Sequence, residues 1–353
     1  MEAASSTGLL AGFFAFLSLI ILRPVAVRVR LLDNPDHRKL HRGAVPLIGG
    51  LSAFVGLGLA WLLWMPVIDS YGLFLFCAAL LVVVGAVDDA KDLPAKFRLG
   101  VQVVLGAVLT FGSGVSLSTF GDLFGFGEVS LGAFGPWVTI AAVIGATNAF
   151  NMIDGIDGLA GSLSLVVLVS LTILFMGDSR FSTELTLAFG IACALVPYLM
   201  ANLRIPPFKC RIFMGDAGSM FIGFAVVWLL VNATQPGQMA MRPVTALWII
   251  AIPLMDMVAI MVRRARKGQS VMKPDREHLH HIFMRAGFSD LEALVLITLV
   301  ALLFAGVGLA GEFFEVPEWA MFTAFVGVFA LYDWALSHVW RLLVVFRRKV
   351  SQQ

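Results

Sequence analysis

Apolar runs of roughly 17 or more residues, each long enough as a helix to cross lipid hydrocarbon, recur eleven times along this chain. They lie at 8–27, 47–65, 71–87, 99–117, 131–147, 159–176, 185–201, 217–233, 243–261, 291–311 and 317–337. The composition fits that reading: 59% of residues are hydrophobic, 14% are charged, and the mean hydropathy is +0.91, far from the soluble range. The expected fold is all-α, a polytopic membrane protein of about eleven transmembrane helices.

Lysine and arginine are retained on the cytoplasmic side of short loops, so their distribution tests the count. With the N-terminus outside and the C-terminus cytoplasmic, 23 of the 25 basic residues fall in inward loops, and only Arg180 and Arg242 lie outward. The first run has Glu2 where a signal peptide would carry basic residues, and it leads into arginine-rich sequence rather than a cleavage site, so it reads as a retained helix. Cys77, Cys193 and Cys210 show no paired spacing, which makes them packing residues. Residues 1–353 read as one membrane domain. Topology already explains the basic residues, so no nucleic-acid partner is expected.

On this topology every polar motif faces inward. In "LDNPDHRKLHRGAVPLIGG", Asp33, Arg38, Lys39, His41 and Arg42 precede Pro46 and the Gly49-Gly50 pair, and inward positive charge at a helix start is the plain reading. In "VDDAKDLPAKFR", Asp88 and Asp89 end an apolar helix and Asp92 follows a turn later. Adjacent carboxylates repel, and a helix C-terminus disfavours them further. Either Mg²⁺, which bridges carboxylates to phosphate oxygens, or a solvated loop neutralised by Lys91 and Lys96 relieves them.

The stretch "NAFNMIDGIDGLAG" repeats Asn151, Asp154 and Asp157 every third residue after Asn148. A helical or near-helical turn would set those three on one side, and polar clusters at membrane depth mark functional sites. In "FMGDAGS", Asp216 opens an apolar run as an N-cap, while Gly215 and Gly218 suit close approach to phosphate or metal. The "PDREHLHH" loop gathers Arg276, His278, His280 and His281. Without a nearby cysteine or an obvious fourth ligand, zinc fits poorly, and anion binding fits better. Acids for Mg²⁺ and bases for phosphate facing one compartment describe phosphoryl transfer.

Taken together and in order, these motifs resemble the polyprenyl-phosphate N-acetylhexosamine-1-phosphate transferases over nearly the whole chain. Within that family, "RPVTALWIIAIPLMDMVAIMVRRARKGQS" and "PDREHLHHIFMRAGF" are similar to the branch that transfers GlcNAc-1-phosphate from UDP-GlcNAc to undecaprenyl phosphate with release of UMP. They differ from the branch that uses UDP-MurNAc-pentapeptide. The resemblance implies a Mg²⁺ enzyme, with Mn²⁺ able to substitute, in the bacterial cytoplasmic (inner) membrane. Its active site would face the cytoplasm, and the reaction would be the first membrane step of O-antigen or enterobacterial common antigen synthesis; the sequence leaves the oligomeric state open, with a homodimer as one option.

By position, Asp216 resembles the principal metal ligand, with Asn151 and Asp154 at metal and diphosphate and Asp157 at uracil. Asp88 and Asp89 correspond to the catalytic pair at the lipid phosphate, as base or as metal-side ligands. Lys39, Asn148, Arg276, His278, His280 and His281 would contact substrates. The rival readings are the same reaction with another UDP-N-acetylhexosamine, an intramembrane prenyltransferase, and a transporter. The basic loops disfavour the prenyltransferase, and acids at helix ends rather than at the midplane disfavour the transporter.

Overall fold

The structure, a computed structural model, describes residues 2–34, 43–65, 69–270 and 278–350. Thirteen α-helices follow one another among them: α1 (Glu2–Val29), α2 (Gly49–Trp64), α3 (Asp69–Lys91), α4 (Ala95–Ser113), α5 (Gly135–Ile153), α6 (Leu159–Phe175), α7 (Ser182–Asn202), α8 (Gly215–Ala233), α9 (Pro243–Ile249), α10 (Ala251–Arg266), α11 (Leu279–Ala286), α12 (Asp290–Phe313) and α13 (Glu318–Val350). Extended pairing among the described residues is limited to two-residue antiparallel contacts, 32–33 with 45–46 and 234–235 with 238–239, and to single bridges between Leu47 and Phe213 and between Thr119 and Ser130. The all-α membrane architecture expected from the apolar runs is what forms.

Every apolar run carries a helix, but the helices are not eleven equal spans. Eight are long and apolar enough to cross a membrane, and a ninth crossing exists only if α9 and α10 are taken as one. That pair bends by 83°. Pro253, the third residue of α10, explains the break, because its ring lacks an N–H and clashes with the carbonyl four residues back, that of Ile249. The α2 and α6 helices, at 16 and 17 residues, are about 24–26 Å long, short of the roughly 30 Å hydrocarbon core.

The bundle is built around α8. An helix apolar on all sides belongs in an interior, and α8 is buried along nearly its whole length, including Phe221, Phe224 and Trp228. α2, α3 and α5 pack around it, while α1 packs against α2 and α7, and α12 against α6 and α9. Outward faces instead expose Leu9, Phe13, Leu62, Val104 and Leu303, as surfaces in lipid do.

Candidate active site

Two helices approach so closely that the site is defined at backbone level. A Cβ on Gly85 of α3 would collide with the Cα of Ala217 in α8. Asp89 lies four residues on, on the same helix face. Its Oδ1 accepts the Asp216 amide at 2.9 Å and its Oδ2 the Ala217 amide at 3.4 Å. α8 has no side-chain cap of its own, so a carboxylate from α3 satisfies its first amides and meets the positive end of its dipole. The expected N-cap, Asp216, is instead inside the first turn, and capping passes to Asp89.

Freed from capping, the Asp216 side chain faces its neighbours. Asn151, near the end of α5, donates from Nδ2 to Asp216 Oδ1 at 2.6 Å and to Ser219 Oγ at 3.1 Å. Arg98, from the first turn of α4, places Nη1 at 3.1 Å from Asp216 Oδ2 and 2.7 Å from Asp88 Oδ2. The second oxygen of Asp88 accepts the Leu93 amide at 2.7 Å. The positive partner expected beside Asp88 is therefore Arg98, in addition to the dipole that serves Asp89.

The turn from α5 into α6 carries the other two acids. Gly158, with φ +78°, donates its amide to Asn202 at the end of α7, and Asn202 donates to the Ile212 carbonyl at 2.8 Å. This clamp holds the turn beside the segment that leads into α8. Asp157 forms an ion pair with Arg211 at 2.8 Å. Asp154 has no hydrogen-bond or ion-pair partner for its carboxylate among the described residues. Burial first, then repulsion from Asp216 and Asp157, pushes its carboxyl up to about 7.

The histidine loop is held against this turn by a buried acid. Asp256 of α10, only 1% exposed, receives the Leu279 amide at 3.0 Å and the Tyr332 hydroxyl at 3.1 Å, and its Oδ2 lies 2.9 Å from His278 Nδ1. It thereby caps α11 as Asp89 caps α8. His280 is buried, and its Nε2 lies where a Cβ on Gly155 would be, without a hydrogen-bond partner among the described residues. Burial, then His281 and His278, lowers its imidazole to about 3. His280 is therefore a neutral ring at physiological pH, able to act on an anion by hydrogen bonding and not by charge. His281 lies beside it, tilted by 50° with ring centroids 4.2 Å apart, and His278 stacks parallel to it at 5.8 Å.

Not every expected residue joins this cluster. Asn148 donates to Gln102 Oε1 at 2.9 Å and to the Ile144 carbonyl at 2.7 Å, so in this structure it serves an α4–α5 contact. Lys39 and Arg276 lie outside the described residues, as do Arg38, His41 and Arg42. The base of the Lys39 loop is nonetheless fixed at the site, because Phe213 donates to the Pro46 carbonyl at 2.9 Å and Gly50 to the Met214 carbonyl at 2.9 Å. Arg98, Arg211 and Asp256 were not singled out by sequence. The arginines looked like topological charge, whereas a lone acid inside the apolar run 243–261 is the kind of signal that marks function.

The donor set suits Mg²⁺, which takes hard oxygens, keeps waters and shares phosphate oxygens. No three acidic, imidazole or thiol side chains among the described residues converge on one point. Asp216, paired either with Asp88 across Arg98 or with the unpartnered Asp154, could hold such an ion, with substrate phosphates completing its shell.

Comparison with known proteins shows which family the chain resembles. Residues 71–234, which include Asp88, Asp89, Arg98, Asn151, Asp154, Asp157 and Asp216, match glycosyl transferase family 4. The chain is 45% identical over 336 residues to the undecaprenyl-phosphate alpha-N-acetylglucosaminyl 1-phosphate transferase of Yersinia pestis, covering 95% of this chain and 92% of that protein. It is 44% identical over 351 residues to the protein of the same name from Salmonella typhi, covering 99% and 95%. Against the Pasteurella multocida protein it is 44% identical over 335 residues, covering 95% and 94%. With near-complete coverage at this identity, and with the acidic motifs inside the matched segment, the chain belongs to glycosyl transferase family 4, among the polyprenyl-phosphate N-acetylhexosamine-1-phosphate transferases.

Proposed function

We propose that this protein transfers GlcNAc-1-phosphate from UDP-GlcNAc to undecaprenyl phosphate in a Mg²⁺-dependent reaction. The observation that carries this reading is the convergence of Asp88, Asp154, Asp157 and Asp216 with Arg98 and the neutral His280 at one end of the bundle. The names of the relatives support the two substrates. A lipid phosphate oxygen attacks the β-phosphorus, the bond from that phosphorus to the oxygen bridging it to the α-phosphate breaks, and UMP leaves with the electron pair. The lipid gains a diphosphate, and the attacking oxygen needs no proton removed when it is already anionic.

Asp157 accepts the N3–H of uracil. Asn151 orients Asp216, and His280 Nε2, protonated in the neutral ring, donates to a donor phosphate oxygen. Asp88 faces the lipid phosphate. The second member of the acidic pair, Asp89, acts by fixing the start of α8. Bound Mg²⁺ would neutralise charge that builds on phosphate oxygens in the transition state.

The positive-inside bias supports an N-terminus outside and a C-terminus in the cytoplasm, within a bacterial inner membrane. The donor would enter from the cytoplasm and the lipid sideways between helices. First-step synthesis of O-antigen or enterobacterial common antigen is the corresponding role. Purified protein in detergent tests the metal dependence: EDTA should abolish formation of lipid-linked GlcNAc, and millimolar Mg²⁺ should restore it. Asp216→Asn should lower kcat at least about 100-fold. Turnover indifferent to EDTA would sink the proposal.

A further inference from the structure

We propose that Arg98 is a resident counter-ion: it occupies the cation position between Asp88 and Asp216 in the metal-free protein and is displaced when Mg²⁺ binds. The inference rests on the magnesium reading of the site and adds a competitor to it. One nitrogen, Arg98 Nη1, lies 2.7 Å from Asp88 Oδ2 and 3.1 Å from Asp216 Oδ2. Each carboxylate commits its other oxygen elsewhere, Asp88 to the Leu93 amide and Asp216 to Asn151. The oxygens turned towards Arg98 are the ones left for a cation.

Asp88 is 4% exposed, and a carboxylate at such depth is strongly destabilising without a partner. A guanidinium supplied by the fold gives Asp88 and Asp216 a shared cationic partner while no metal is present. Mg²⁺ binds oxygen at about 2.0–2.1 Å, much closer than these hydrogen bonds, and a guanidinium nitrogen cannot stay between the same two oxygens. Charge repulsion acts in the same sense. The groups facing Arg98 are all acidic: Asp88 and Asp216, with Asp92 nearby. Arg98 retains 29% side-chain exposure, so it has an open side into which to move. Among the described residues, Lys91 and Lys96, the cations expected from the sequence to neutralise Asp88, form no hydrogen bond or ion pair with it, and the role falls to Arg98, which reaches both acids.

The test uses metal alone, without substrate. In the wild-type protein, labelling of Arg98 by a guanidinium-specific dicarbonyl, mapped by peptide mass spectrometry, should increase when Mg²⁺ is added to EDTA-treated protein. Arg98→Gln should bind Mn²⁺ about ten-fold more tightly in a calorimetric or paramagnetic titration, because a competing positive charge is gone. Arg98→Lys, which retains the charge, should stay near the wild-type affinity. Labelling that is unchanged or falls, or Mn²⁺ binding by Arg98→Gln that is equal or weaker, overturns the inference while leaving the magnesium reading intact. Absence of Mn²⁺ binding by the wild-type protein overturns both. Should Arg98→Gln fail to fold, the wild-type labelling decides alone.

Discussion

The carboxylate of Asp89 in α3 accepts the backbone amide of Asp216 in α8 at 2.9 Å, so one acid of the site holds the peptide that carries another. Removing a helix cap costs about 1–2 kcal/mol. Asp89→Ala should therefore lower the thermal midpoint of the purified protein as well as its turnover. Asp89→Asn, which keeps one acceptor oxygen, should lose less stability. An unchanged midpoint in Asp89→Ala would remove the capping role.

His280 and Gly155 should behave as one unit. A methyl group on Gly155 has no room beside His280 Nε2, so Gly155→Ala should displace the histidine loop and reduce kcat/KM by about ten-fold or more. His280→Ala should reduce transfer by itself, and adding Gly155→Ala to it should cost little further. Full additivity of the two losses in a double-mutant cycle would show that the contact does not couple them.

Asp157 and Asp154 lie three residues apart, yet their surroundings separate their roles. With Asp157 paired to Arg211 and assigned to uracil, Asp157→Ala should weaken UMP binding by about 10–100-fold, the scale of a lost charge-assisted hydrogen bond. Asp154→Ala should mainly lower kcat. Arg211→Ala should weaken UMP binding by a smaller factor, since Asp157 survives but loses its restraint. Titration of UMP into each folded variant measures this, and unchanged affinity in Asp157→Ala removes it from the uracil site.

Asp256 positions the loop from outside the reacting groups. Asp256→Asn keeps the shape while weakening the hold on His278 and on the start of α11, so kcat/KM should fall by about 10–100-fold with the helical circular-dichroism spectrum preserved. Tyr332→Phe removes one of three partners and should cost less. Wild-type kinetics in Asp256→Asn would mean that the loop is held by other contacts.

Much of this was legible in the chain because membrane spans and oxygen-rich turns obey local rules. The apolar runs mark helices, and the spacing of Asn151, Asp154 and Asp157 marks a polar turn at a helix end. Partnership across helices is not local. Arg98 and Arg211 cannot be told from topological charge until α4 and the segment before α8 are placed beside Asp88 and Asp157. Asn148 sits inside the polar motif, but Gln102 on a neighbouring helix takes its amide. The break between α9 and α10 was readable in principle from Pro253, since the run's length alone conceals it. Asp216 looked like an N-cap because Asp89, which performs that task, is 127 residues away.

The central claim is that a sugar-phosphate, and not a sugar, moves to the lipid. Purified protein should be given undecaprenyl phosphate, Mg²⁺ and UDP-GlcNAc carrying ³²P only in its β-phosphate, and the label should then be followed into the lipid and nucleotide fractions. The predicted result is label in the lipid, with unlabelled UMP released in equal amount. Label retained in released UDP, with sugar alone on the lipid, would contradict the claim.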